Sequence, residues 1–200
     1  GVLDYRFNNL DVLRAERGCL VIANHPSLLD YVLLASVMNE TDCLVKSALL
    51  RNPFVSGVIR AADYLINSEA DTLLAASQQR LSQGDTLLIF PEGTRTRVGE
   101  AMTLQRGAAN IAVRCNSAVR VVVIHCSERM LDKQSSWYNV PPNKPVFTVD
   151  VRERINIHDF YDASQHEPAL AARQLNRHMQ HQLTTGLQSL SGTKDASALS

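Results

Sequence analysis

Two short stretches of the 200-residue chain gather side chains that can move protons or bind anions, and each follows an apolar run. The first is NHPSLLD, residues 24–30, set between CLVIA and YVLLASVM. His25 brings an imidazole, which with a free-solution pKa of about 6.5 is largely available as a base at neutral pH. Asp30 brings a carboxylate. If that carboxylate accepts the proton of one ring nitrogen, it fixes the tautomer and steadies the imidazolium, leaving the other nitrogen to take a proton from a hydroxyl. A second reading stands beside this one. Ser27-x-x-Asp30 has the spacing of a capping box, in which the acid serves only a helix terminus, and a His before Pro is often just a polar turn residue.

The second stretch is FPEGTRT, residues 90–96. Gly93 permits positive φ or close backbone approach, and with neighbouring amides it can form an anion-binding concavity. Arg95 offers a planar fork suited to a phosphate, and Thr94 adds a donor. Glu92 fits less directly, because a carboxylate repels phosphate unless it orients Arg95 or accepts a hydrogen bond from a substrate hydroxyl. The bland alternative is a solvated turn with an internal Glu-Arg pair.

The elements that must position these groups read as an α/β alternation. β-rich runs occur at 19–24, 42–46, 64–67, 86–90, 119–126 and 145–152. Between them lie SLLDYVLLASVM, SEADTLLAASQQRLSQG and TLQRGAANIAVRC, with apolar residues at three- and four-residue spacing. Most strands are continuous apolar runs, as expected of a mostly parallel sheet covered by helices on both faces. FTVDV alternates, which suits an edge or half-exposed position. Pro26 or Ser27 is expected to open the helix after CLVIAN, leaving His25 on a strand-to-helix turn, where open α/β sheets bind ligands. Ser68 is expected to cap the next helix and Gly84 to close it. A last helix from about 167 to 190 carries Leu175, Met179, Leu183 and Leu187 as a core-facing stripe.

With Lys+Arg and Asp+Glu both at 20, the chain lacks the basic footprint of a nucleic-acid binder. Its length suits one domain, read as residues 1–190 with a disordered tail over 191–200. Cys19, Cys43, Cys115 and Cys126 show no C-x-x-C spacing and read as reduced core thiols. No apolar run reaches the roughly 18 to 20 residues that cross a bilayer. A start at Gly1 rather than Met is read as a sign of processing or of a longer parent chain.

NHPSLLD followed by FPEGTRT resembles the paired motifs of the glycerolipid acyltransferases, the family that includes 1-acylglycerol-3-phosphate acyltransferase. The pattern N-H-x-S/T-x-x-D, then F/Y-P-E-G-T-R, is matched in full and in order, and the similarity runs from about Leu20 to Arg154. The resemblance implies that His25 is the catalytic base and Asp30 its partner. By the same resemblance Glu92, Gly93, Thr94 and Arg95 contact a glycerophosphate-like acceptor, and Lys46 matches a basic residue the family carries between the motifs. It further implies an acyl thioester donor, on coenzyme A or acyl carrier protein, a lysolipid acceptor, no metal or cofactor, and peripheral contact with the cytoplasmic face of a bacterial inner membrane. Two departures bear on the acceptor. ADYLINS has Ser68 where many members carry an Arg, and AVRVVVI lacks the proline of a later motif. Arg51 and Arg60 are candidates for the missing charge. The wording NPF, RAADYLIN, LQRGAANIA and WYNVPP is similar to a bacterial branch associated with aryl-polyene lipids.

In the mechanism this implies, the substrate alcohol attacks the thioester directly, so no covalent acyl-enzyme is required. The chain has no G-x-S-x-G elbow, which agrees. A thioesterase using the same dyad on water, or a lipid-binding protein that keeps the fold without turnover, are the rival readings. Trp137 and Tyr138 near Lys133 form either an interfacial anchor or a partly buried loop. His178 and His181, at i, i+3 without an acidic or Cys companion, read as a solvated helix face rather than a metal site. His125 reads as a half-buried strand residue, and Gly107 and Ala108 as points of close packing, with Arg106 a candidate anion contact.

Overall fold

Each of the six apolar runs becomes a strand, and a seventh forms from polar sequence at the amino end. The computed structural model describes residues 3–27, 29–38, 41–46, 65–67, 70–93, 100–128, 141–163 and 167–192, with the backbone alone for 41–46, 65–67 and 70–71. The strands are β1 (Asp4–Asn8), β2 (Leu20–Ala23), β3 (Thr41–Lys46), β4 (Leu65–Asn67), β5 (Thr86–Ile89), β6 (Val119–Cys126) and β7 (Val146–Ile155). The helices are α1 (Leu10–Ala15), α2 (Asp30–Ala35), α3 (Ala70–Gln83), α4 (Gly107–Arg114) and α5 (Pro168–Gly192).

The strand order is β1-β7-β6-β2-β5-β3-β4. Every described pair is parallel except β6 with β7. This is the mostly parallel mixed sheet expected, and β2 shows why its run is continuously apolar. Leu20 and Ile22 pack into a cluster with residues of α3, α4 and α5, whereas Val21 and Ala23 face the other side, with Leu13 of α1 and Leu34 of α2. A strand covered on both faces has no solvent side to alternate toward. Leu175, Met179 and Leu183 of α5 are fully buried, with Leu187 partly so. Each such side chain contributes roughly 1.5–3 kcal/mol of burial. Gly84 ends α3 at φ 95, where its N–H reaches Leu81 O and the Asp85 N–H reaches Arg80 O, a Schellman closure that turns the chain straight into β5.

Several local expectations need correction. β1 and α1 went unread, because β1 is an almost wholly exposed strand held through its backbone to β7, and α1 is only six residues long. Of the two positions read for FTVDV, the edge is wrong and the half-exposed one holds: β7 lies between β1 and β6, and its alternation comes from a half-covered face. The helix after NHPSLLD begins at Asp30, not at Pro26 or Ser27. Gly107 meets open space, so the tight packing of α4 is carried by Ala108, Ala109 and Ala112 instead. The last helix continues to Gly192, two residues into the stretch read as tail. The Ser68 cap lies outside the described residues. No described helix is long and apolar enough to cross a membrane.

Candidate active site

β2 and β5 are parallel neighbours, so the turns that follow them emerge at the same edge of the sheet. Their opposing residues are Leu20 with Leu87, Val21 with Leu88 and Ile22 with Ile89. The chain leaves β2 at Asn24, whose buried amide continues the sheet by side chain. Its Nδ2 donates to Ile124 O and its Oδ1 accepts from Ile124 N, both at 2.7 Å. A rigid exit from the strand follows, and His25 stands directly on it.

The His25 ring is fixed from two sides. Nδ1 lies 2.9 Å from Asp30 Oδ2, and the ring stacks on Phe90 at the end of β5, with centroids 4.5 Å apart. Asp30 is fully buried, and its Oδ2 also accepts the Ser27 N–H at 2.7 Å. The capping-box reading does not hold, because α2 starts at Asp30 with Leu29 at its N-cap and no side-chain cap bond; the Ser27 bond instead pins the turn that carries His25 to the same oxygen. A carboxylate in this role accepts the Nδ1 proton, which leaves Nε2 with its lone pair outward. Among the described residues Nε2 has no hydrogen-bond partner, and the side chain keeps 19 % exposure, enough for a reactant to reach it.

The second turn is built on Pro91. Gly93 N donates to Phe90 O at 3.0 Å, and Gly93 takes φ 67, the left-handed backbone its sequence position suggested. Pro at the second position and Gly at the fourth suit such a turn. Gln105 N donates to Pro91 O at 2.7 Å, tying the approach to α4 against it, with Arg106 exposed at the helix start. Glu92 is buried, and its Oε1 accepts the main-chain N–H of His25 at 2.7 Å. The two motifs thus touch. Lys46 ends β3 at the same edge, β3 being parallel to β5. Thr94, Arg95, Arg51, Arg60, Lys133, Trp137 and Tyr138 lie outside the described residues.

A model of the acyltransferase family matches residues 4–127, from β1 to just past β6 and through both turns. The chain belongs to the acyltransferase family. Among the acyltransferase relatives, the 1-acyl-sn-glycerol-3-phosphate acyltransferase of Helicobacter pylori is 30% identical over 112 residues, covering 52% of this chain and 47% of that one. The enzyme of the same name from Pseudomonas aeruginosa is 26% identical over 132 residues, 63% of this chain and 51% of its own length. The chain thus spans about half the length of these two relatives. The crystal structure of the 1-acyl-sn-glycerophosphate acyltransferase PlsC from Thermotoga maritima superposes with a TM-score of 0.66 at 20% identity, over 94% of this chain and 73% of that one, and so shares the fold.

Sequence reasoning passed over Asn24 and Phe90 as site residues, though both stand within or beside the quoted motifs. It also passed over Glu16. At the opposite rim of the sheet, Glu16 is buried between Arg120 and Arg154, with Arg154 Nη1 2.8 Å from Oε2. Cys19 Sγ donates to the same Oε2 at 3.2 Å. Burial, and then the charge of Glu16, push the Cys19 thiol up to about 12. Among the described residues Cys19, Cys115 and Cys126 form no disulfide; Cys19 is a core thiol as expected, whereas Cys115 and Cys126 are only half-buried. A cleft of about 380 Å³ on this rim is lined by Asn9, Val12, Arg120, Asp150, Val151 and Arg152. Its arginines already bond Glu16 and Asp150, and His25 is not among its walls. On α5, His178 pairs with Glu153 at 3.3 Å and His181 is exposed; His125, on β6, is half-buried. No group of three or more His, Cys, Asp or Glu that could hold a metal occurs among the described residues.

Proposed function

We propose that the protein transfers a fatty acyl group from an acyl thioester to a hydroxyl of a lysophosphatidate-like lysolipid, with His25 as general base and Asp30 as its partner. The observation that carries this reading is the ring bound through Nδ1 to a buried carboxylate, stacked on Phe90, with its main chain held by Glu92. The acceptor hydroxyl gives its proton to Nε2 while its oxygen bonds the thioester carbonyl carbon. The C–S bond then breaks, and the imidazolium returns the proton to the departing thiolate. Holding hydroxyl against thioester supplies up to roughly 7 to 11 kcal/mol of the barrier reduction. The Gly93-Thr94-Arg95 corner and Lys46 would hold the anionic head, in keeping with their motif positions. Coenzyme A or acyl carrier protein would deliver the acyl group, and a membrane surface would present the acceptor, as the lipid nature of acceptor and product requires.

The test is thiol release from a labelled acyl thioester with lysophosphatidate, with other lysophospholipids, and with no acceptor. Release that requires a lysolipid, with diacyl product found by mass spectrometry, supports transfer. Equal release without acceptor would make the protein a hydrolase. Binding without turnover in every arm would make it a lipid-binding protein. His25→Ala should abolish transfer while leaving the fold intact.

A further inference from the structure

The mechanism above gives Glu92 no task, although it is one of the few buried charged side chains described. Its motif position suggests an acceptor contact, yet a carboxylate is a poor neighbour for a phosphate. Its geometry suggests another role. The β2 and β5 residues pair with a constant offset of 67, and the same offset carried three residues beyond the last pair falls on His25 and Glu92. Pro91 has no N–H and ends the main-chain ladder on the β5 side. At that level the His25 N–H bonds to a side chain, Glu92 Oε1, at 2.7 Å. Asn24 does the same on the other flank of β2, bonding β6 through its amide group. The segment bearing the base is therefore stitched on both sides by side chains that replace the ended ladders.

We propose that Glu92 is a positioning residue: by accepting the His25 main-chain N–H, it fixes the base to the turn that carries Gly93, and it is not an acceptor-binding group. The assignment rests on the acyl-transfer reading. A charge-assisted bond to a buried amide is short and strong. It ties the two motifs into one body, so that Nε2 keeps its distance from a hydroxyl whose head group sits at the Gly93 corner.

The experiment compares wild type, Glu92→Gln, Glu92→Asp and Glu92→Ala by two readouts on the full chain. One is amide exchange at His25 by NMR, and the other is kcat and acceptor KM with lysophosphatidate and an acyl thioester. Gln keeps an oxygen at the same reach, so it should retain slow exchange and kcat within about threefold of wild type. Asp and Ala should exchange about tenfold faster at His25 or more. They should also lose about ten- to a hundredfold in kcat with acceptor KM little changed, as expected when a base is displaced and substrate binding is left intact. If Ala does not fold, the Gln and Asp variants carry the comparison. An acceptor KM raised about tenfold in the Gln variant with kcat intact would overturn the proposal and make Glu92 an acceptor contact. His25 exchange unchanged in Asp or Ala would overturn it as well. Normal transfer by His25→Ala would instead remove the base assignment, and the exchange comparison would still decide the latch by itself.

Discussion

Replacing Asp30 with Asn separates the two duties that converge on Oδ2. The amide oxygen of the new side chain would still accept from Ser27 N, so the turn before α2 keeps a hydrogen bond worth about 1 kcal/mol. What the substitution removes is the negative charge 2.9 Å from His25 Nδ1. Hydrogen bonds to charged groups contribute roughly 1.5–3 kcal/mol, and a charge pair about 4 Å apart contributes about 4 kcal/mol at an effective dielectric constant near 20. In the proposed mechanism the imidazolium forms as the hydroxyl proton is taken, so that interaction would be felt in the transition state far more than in the resting protein. A loss of roughly 2 to 4 kcal/mol corresponds to a fall of about thirty- to a thousandfold in kcat. Were the amide to turn its NH₂ to Nδ1 instead, it would select the wrong tautomer and deepen the loss, and would give up the Ser27 bond made at the same position. The assay is the initial rate of acceptor-dependent thiol release at saturating lysophosphatidate, alongside urea unfolding of the same preparations. The expected result is a large fall in kcat with a shift in stability below about 1 kcal/mol. A variant turning over within about threefold of wild type would refute the dyad and leave Asp30 as the partner of the Ser27 N–H alone.

Phe90→Ala removes the ring stacked on His25. An aromatic pair of this kind contributes about 0.5–1.5 kcal/mol, so kcat should fall by roughly two- to twelvefold while Phe90→Tyr stays near wild type; steady-state rates decide. Cys19 holds its proton up to about 12 in the folded chain against an ordinary 9.0. Its contribution to stability is therefore complete below about pH 9 and is lost as pH rises from 9 to 12, so the wild-type unfolding midpoint should drop across that window more steeply than that of Cys19→Ala. At pH 8 the native thiol should resist a thiol reagent that labels it after unfolding. Glu16→Ala leaves the half-enclosed Arg120 without its counter-charge, and breaking a buried pair in this way costs about 3 kcal/mol, or roughly 6 to 12 °C in Tm by calorimetry, with KM for the acceptor unchanged.

Where the sequence was legible, a single element carried its own signal. The run CLVIAN has apolar residues on both faces, so it could only be a strand inside a covered sheet, and the i, i+4 stripe of α5 needed nothing beyond its own period. His25 and Asp30 were legible because they stand five positions apart, close enough for the local chain to bring them together. β1 was not, since DYRFN is almost wholly exposed and owes its shape to the backbone of β7, roughly 140 residues away in the register of Asp4 with Val146. Glu16 looked like one charge among several in LRAERG, and its burial depends on Arg120 and Arg154 arriving from distant strands. The link between Glu92 and His25 had a faint signature: two polar turns at equal distance past two apolar runs. It becomes informative only once those runs are known to be neighbours in parallel register.

The buried acid of the far rim stands before β2 begins, whereas His25, the proposed base, stands just after β2 ends, with four residues of strand between the two turns. A strand of that length separates them by roughly 13 Å. On the acyl-transfer reading, durability and turnover lie at opposite ends of the same short strand. Charges around Glu16 could then be exchanged to alter heat tolerance without disturbing the proposed reacting groups, and an engineer seeking a sturdier protein should begin at that end.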